Sequence, residues 1–306
     1  MKPFQYMKLN VKFRGLEGEV YPYFLGSFIR GNFGMYLKKT VCPFHFSKSC
    51  EDCLIHKKCF YAEIFEARME TTDFGQNIPL PFVIDLVNHD EAKAADNNLE
   101  FGILLFGPAL NNFEFFILVF SEMGKSGIGK RRIKCKQVLV EDHDGQVIYS
   151  SGKEKILASP RLLSFEPQAK GFTDRLQVCY RSPVRLKREG KIVQEPDFEV
   201  LVRAALRRYV YLEQLYGTPA DLPFSEIIEE STRVRTVASE IHWEDRVRYS
   251  NRRRRKMNLG GLLGSQEFAG SISPYHLNLL GFASIFHLGK TSTFGHGKIE
   301  VRANGS

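Results

Sequence analysis

The sequence predicts an α+β protein built from two tandem ferredoxin-like domains, each running β-α-β-β-α-β, the second carrying a C-terminal glycine-rich loop. Three observations point there. Strand-type and helix-type apolar patterns follow one another in the same order in both halves of the chain. A basic, glycine-rich stretch stands before the last strand of each half: Gly124-Lys125-Ser126-Gly127-Ile128-Gly129-Lys130, and His287 to Lys298. The length, 306 residues, suits about two domains.

The elements follow in order. Met7, Leu9, Val11 and Phe13 alternate with Lys8, Asn10, Lys12 and Arg14, the period of a half-buried strand. Leu25, Phe28, Ile29, Phe33, Tyr36 and Leu37 recur at helical spacing, although Gly26, Gly31 and Gly34 weaken that helix. A segment holding four cysteines interrupts the pattern over 42–59. Phe82 to Val87 reads as a strand, Leu99 to Leu105 alternates again, and Phe113, Phe116, Ile117 and Phe120 fit a helix. A strand is expected from Ile133 to Glu141, with a turn at Asp144-Gly145. The first domain is therefore placed at 1–155 and the second at 156–306.

The second cycle opens with Leu176, Val178 and Tyr180. Asp197 is expected to cap a helix carrying Phe198, Leu201, Val202, Ala205, Tyr209 and Leu212. Val237, Ile241 and Trp243 suggest a strand, as do Phe268 to Ser273. Pro274 opens a helix through Leu277, Leu280 and Ile285, and Lys298 to Arg302 closes the chain as a strand.

The formal net charge is +8, which suits a polyanionic partner such as nucleic acid. No apolar run is long enough to span a bilayer, and Met1-Lys2-Pro3-Phe4 lacks the apolar core of a signal peptide. The six cysteines are too sparse for a secreted disulfide framework, so a cytoplasmic protein without a membrane partner is expected, as a monomer or homodimer.

The glycine loops are candidates for contact with a phosphate chain. Residues without a Cβ let backbone amides approach an anion, and neighbouring lysines add charge. Gly127, Gly129 and Lys130 are the candidates in the first loop. Gly289, Thr291, Phe294, Gly295, Gly297 and Lys298 are those in the second. A nucleotide-binding P-loop is excluded by spacing, because Ser284 and Val119 stand where that motif needs glycine. The plain alternative is a tight helix-to-strand connection with solvated lysines.

A basic run lies between the loops. Arg252, Arg253, Arg254, Arg255 and Lys256 are consecutive, with Arg246, Arg248, Tyr249 and Trp243 nearby. Guanidinium groups pair with phosphate and stack on bases, and Trp243 offers a stacking face. A solvated charged loop is the alternative, but five adjacent cations repel unless something anionic relieves them.

Cys42, Cys50, Cys53 and Cys59 are spaced C-x7-C-x2-C-x5-C. Four thiolates complete a tetrahedral site, and structural zinc is the first choice. An iron–sulfur cluster uses the same ligands and ranks below zinc. His45 or His56 could replace a thiolate, and four unmetallated thiols remain the alternative.

The C-terminal loop, with Gly261 to Gly264 before it, resembles the glycine-rich signature of the RAMP superfamily. Within it the chain resembles the CRISPR-associated endoribonucleases that cut repeat RNA, proteins of antiviral defence. Matching stretches include Arg30-Gly31-Asn32-Phe33-Gly34, Cys59-Phe60-Tyr61, Ser182-Pro183-Val184, and Trp243 through Ser250 with its basic continuation. The resemblance implies an RNA hydrolase that needs no metal. The 2′-hydroxyl attacks the adjacent phosphate and leaves a 2′,3′-cyclic phosphate and a 5′-hydroxyl end. The family commonly uses a histidine near the first helix, often with a tyrosine or lysine. Here that implies His45 as general acid or base with Tyr36 assisting. His287 beside Lys290 is the second candidate, with Lys290 stabilising charge; a helix C-cap role for His287 is the alternative. The implied substrate is a CRISPR repeat transcript held in a cleft between the two domains, and a CRISPR effector complex is an implied partner. The rival is a non-catalytic RAMP-type subunit that binds guide RNA.

Overall fold

The structure is a computed structural model that describes residues 1–18, 24–44, 50, 53–66, 78–86, 97–219, 221–250, 255–289 and 291–303. The chain divides into two compact units. One comprises Gln5–Leu163, and the other Ser164–Ser306 together with Met1–Phe4. The partition falls after Leu163 rather than at 155, because residues 155–156 still pair as a strand with the sheet of the first unit.

The first unit contains β1 (Phe4–Arg14), α1 (Leu25–Val41), β2 (Phe82–Asp85), β3 (Leu99–Leu105), α2 (Phe113–Ser126), β4 (Gln137–Asp142), β5 (Val147–Ser150) and β6 (Lys155–Ile156). Its sheet order is β2-β3-β1-β4-β5-β6, with every neighbouring pair antiparallel. The first four of these strands form the ferredoxin-like order, and the last two extend one edge. Leu9, Val11 and Phe13 of β1 are buried, as their alternation predicts, and Val11 lies opposite Phe101 and Val140. On α1 the buried residues Leu25, Ile29, Phe33, Tyr36 and Leu37 make one face. Phe33 stacks on Phe116 of α2 at 5.3 Å and meets Phe82 edge-on at 5.5 Å. Burying one such ring stabilises by about 1.5–3 kcal/mol. The strand expected from Ile133 begins at Gln137, since Ile133 instead bridges Ile128 and closes the preceding loop. The strand expected through Val87 is β2, described to Asp85; Val87 lies outside the described residues.

A short strand, β7 (Leu163–Phe165), spans the partition, and the second unit contains β8 (Thr173–Val184), β9 (Leu186–Arg188), β10 (Lys191–Val193), α3 (Phe198–Tyr216), α4 (Phe224–Ser231), β11 (Arg235–Glu244), β12 (Val247–Ser250), β13 (Arg255–Asn258), β14 (Gly261–Ile272), α5 (Pro274–Phe286) and β15 (Ile299–Ala303). Its main sheet runs β11-β14-β8-β15, the ferredoxin-like order again. Asp197 caps α3 as expected, its carboxylate accepting the Val200 N–H at 3.0 Å. Phe282 of α5 is ringed by Phe4, Phe165, Tyr209 and Phe286, with centroids 4.4–5.5 Å away. Two small hairpins, β9–β10 and β12–β13, and helix α4 were not anticipated. Gly261 to Gly264 belong to β14. Among the described residues no helix is long and apolar enough to cross a membrane.

Candidate nucleic-acid interface

In the first unit the glycine loop joins α2 to β4. Gly127 has φ +93°, and a Cβ there would meet the Arg132 carbonyl oxygen at 2.2 Å, so only glycine fits. The Tyr36 hydroxyl donates to the Gly127 carbonyl, and Arg132 Nη1 donates to the Tyr36 oxygen at 2.7 Å. The Gly129 N–H donates to Asn32 Oδ1 at 3.2 Å. Helix α1 thus grips the loop through two side chains. Tyr36, expected to assist proton transfer, is fully buried in these contacts. What the loop presents to solvent is Lys130, Arg131, Arg132 and Lys134. Arg131 donates to the Gly18 carbonyl at 3.1 Å, and the Arg132 guanidinium lies 5.6 Å from the Tyr36 ring centroid.

The stretch Arg30-Gly31-Asn32-Phe33-Gly34 acquires a physical account here. Asn32 holds the loop, Phe33 fills the core, and Arg30 lies 4.4 Å over the Phe65 ring. Gly34 lets that same ring approach, since a Cβ would lie 2.1 Å from it.

In the second unit the glycine loop joins α5 to β15 and is knitted to itself. Leu288 N–H donates to the Gly297 carbonyl at 2.7 Å, Phe294 N–H to Thr291 at 2.9 Å, and Gly295 N–H to Ser292 at 2.9 Å. Gly297 N–H donates to the Pro183 carbonyl at 3.1 Å, and Lys298 N–H to Ser182 Oγ at 2.8 Å. Ser182-Pro183 is therefore the anvil on which the loop closes. These amides are occupied within the protein, so the expectation of a main-chain phosphate cradle does not hold at Phe294, Gly295, Gly297 and Lys298. Gly289, Thr291, Phe294 and Lys298 are half-exposed; Gly295 and Gly297 are buried. His287 is buried, and its Nδ1–H donates to the His296 carbonyl at 3.1 Å. In this position His287, the second candidate for proton transfer, braces the loop from inside. His45 and Lys290 lie outside the described residues.

Sequence reasoning missed Arg208. Its Nε and Nη2 donate to the Phe286 carbonyl at 3.1 and 2.8 Å, and Nη2 also to Ser292 Oγ at 3.2 Å. It closes the end of α5 onto the loop, and full burial pulls its pKa down to about 10. The usable signal was its position: Arg208 falls on the same α3 face as Ala205, Tyr209 and Leu212.

The basic run is carried by the β12–β13 hairpin, where Ser250 pairs with Arg255 across the strands. Arg252, Arg253 and Arg254 connect those strands and lie outside the described residues, as does the side chain of Arg255. At the hairpin's base Trp243 is half-buried, its Nε1–H donating to Asp245 at 3.0 Å. Arg246 is buried in an ion pair with Glu244 and does not join the exposed basic set.

Cys42, Cys50, Cys53 and Cys59 come together, lining one cavity of about 10 Å³ with His56 and Ala62. None of the four is in a disulfide. Burial raises the Cys50 thiol pKa; Lys38 opposes this, and Glu66, Cys42 and Cys59 add to it. Among the described residues no three His, Cys, Asp or Glu side chains already converge on a common ligating point.

Residues 178–299, from β8 to the start of β15, match the family model of the CRISPR-associated endoribonuclease Cas6. Residues 4–161 match the AF_1859 N-terminal domain. The chain belongs to the AF_1859 family and has the fold of the Cas6 proteins. An uncharacterized protein of Archaeoglobus fulgidus is 21% identical over 313 residues, covering 97% of this chain and all of that one. Among solved structures, the product complex of a Thermus thermophilus Cas6 is 13% identical with a TM-score of 0.58, over 97% of this chain and 99% of that one. A second Cas6 product complex is 15% identical with a TM-score of 0.53, over 98% and 100%. A partial Cas6-RT-Cas1–Cas2 complex aligns over 98% of this chain and 46% of its own, 12% identical, with a TM-score of 0.57. These likenesses show the fold. At family level the Cas6 proteins are endoribonucleases that process CRISPR RNA.

Proposed function

We propose that this protein cuts CRISPR precursor RNA within its repeats by metal-independent transesterification. The ribose 2′-hydroxyl loses its proton as its oxygen bonds to the adjacent phosphorus. The 5′-oxygen leaves and takes up a proton, giving 2′,3′-cyclic phosphate and 5′-hydroxyl ends. An internal nucleophile is already in place in RNA, so the protein has to supply proton transfer and cationic stabilisation of the phosphorane. His45 is the residue we assign to proton transfer, because Tyr36 and His287 are both buried in structural hydrogen bonds. Lys290 is assigned to charge stabilisation. The Lys130 loop and the arginines 252–255 would hold the RNA backbone, and Trp243 would stack on a base.

The supporting observation is that Ser182-Pro183 and the loop from His287 to Lys298 form one hydrogen-bonded device inside the segment that matches Cas6. The relatives in product complexes and in a Cas6-RT-Cas1–Cas2 complex favour RNA as ligand and a CRISPR assembly as partner. A second reading, a guide-RNA-binding subunit without catalysis, is favoured by the burial of two of the four expected catalytic residues.

Incubating the protein with repeat RNA in buffer without magnesium or manganese separates the two. Cleavage to cyclic-phosphate ends that stops in His45→Ala supports the nuclease. Tight binding with RNA left intact supports the subunit and overturns the nuclease.

A further inference from the structure

We propose that Cys42, Cys50, Cys53 and Cys59 bind one zinc ion that fastens the excursion between α1 and β2. The site is independent of the nuclease reading. Cys42 ends α1, where its N–H donates to the Lys38 carbonyl at 3.0 Å. Cys50 and Cys53 form a tight turn, with the Cys53 N–H 3.4 Å from the Cys50 carbonyl. The His56 N–H donates to Cys53 at 3.0 Å and the Cys59 N–H to His56 at 3.3 Å, so a 3₁₀ turn over His56–Lys58 carries the chain from the third cysteine to the fourth. All four cysteines face the same cavity.

What holds this segment otherwise is little. Between Cys42 and Cys59 none of the described residues is buried. Leu54 is 101% exposed, Phe44 52% and Ile55 39%. The little apolar burial among the described residues here does not offset the entropy of ordering them, and a metal staple is the usual remedy. The four sulfurs line one small cavity with room for about one water-sized sphere between them. Four sulfur donors in a tetrahedral set favour zinc, at sulfur–metal distances of about 2.3 Å. As each sulfur bonds the ion its thiol proton passes to solvent, and the ion draws the side chains inward to a common point. The Lys38 cation stands near the resulting negative charge.

The test uses the full chain purified without chelator. Metal analysis is expected to find about one zinc per chain. Cys50→Ser and Cys53→Ser are expected to lose it, while Cys135→Ser and Cys179→Ser keep it. Replacing zinc by cobalt in the wild-type chain should give sulfur-to-cobalt charge-transfer and tetrahedral bands, a readout that needs no variant to fold. Zinc removal should speed proteolysis between Cys42 and Cys59. A metal-free protein whose thiols react equally fast with and without added zinc, or a brown iron-containing one, overturns the site. Zinc-loaded protein that leaves repeat RNA intact speaks against the nuclease and leaves this site standing.

Discussion

Tyr36 donates its hydroxyl hydrogen to the carbonyl of Gly127, 91 positions further along the chain, and accepts one from Arg132 in turn. A residue type that could serve proton transfer is thus the pin between α1 and the first glycine loop.

Tyr36→Phe therefore tests structure against chemistry. It leaves a buried carbonyl without its donor, which costs about 1–3 kcal/mol. Urea denaturation should show that loss while the RNA cleavage rate per folded molecule stays within a few-fold. A collapse in rate at unchanged stability would return Tyr36 to the reaction.

Gly297→Ala should damage the second loop more. Its φ is +84°, where a side chain costs about 1–2 kcal/mol, and the new Cβ would also sit 1.9 Å from the Leu288 carbonyl oxygen. Thermal melting should fall and RNA affinity with it. Gly145→Ala, whose Cβ would meet nothing within 4 Å, shares the positive φ and serves as the control for that strain alone.

His276 supplies a pH dependence. It is fully buried, with Nδ1 accepting the Ser273 N–H at 3.2 Å and Nε2–H donating to the Ile227 carbonyl at 2.9 Å. The Ser273 contact needs an unprotonated Nδ1, and burial lowers the ring's pKa below the ordinary 6.5, against smaller opposing effects of Ile227 and Glu230. The unfolded chain binds the proton more readily, so this contribution is complete above about 6.5 and declines as pH falls from there through the folded value. Denaturation midpoints measured from pH 8 to 5 should drop on the acid side, and His276→Asn should flatten that slope.

RNA binding should weaken steeply with salt. Replacing Lys130 by Ala should lower the slope of log affinity against log salt by about one, as expected for one lost phosphate contact. Replacing Arg252, Arg253 and Arg254 together by Ser should lower it by several. Slopes equal to wild type would remove both elements from the interface.

The frame of both units was legible because each core strand or helix shows its own period. Leu9, Val11 and Phe13 alternate inward, and Ala205, Tyr209 and Leu212 recur on one face of α3. Short elements escaped. The strands of β9–β10 and β12–β13 are only three or four residues long, too short to leave a pattern, and Gly261 and Gly264 masked the start of β14. The site was legible in composition but not in role. Glycine and histidine in a basic loop suggest anion binding or proton transfer, and only tertiary partners reveal that His287 braces the loop. The capping of α5 by His276 was hidden because the box more often carries glutamate or glutamine at that position.

The mutual closure of the loop after α5 means that any ligand meets a finished mould. Little chain entropy is left to lose on docking, so selectivity at that surface would come from fit rather than from a segment ordering around its guest.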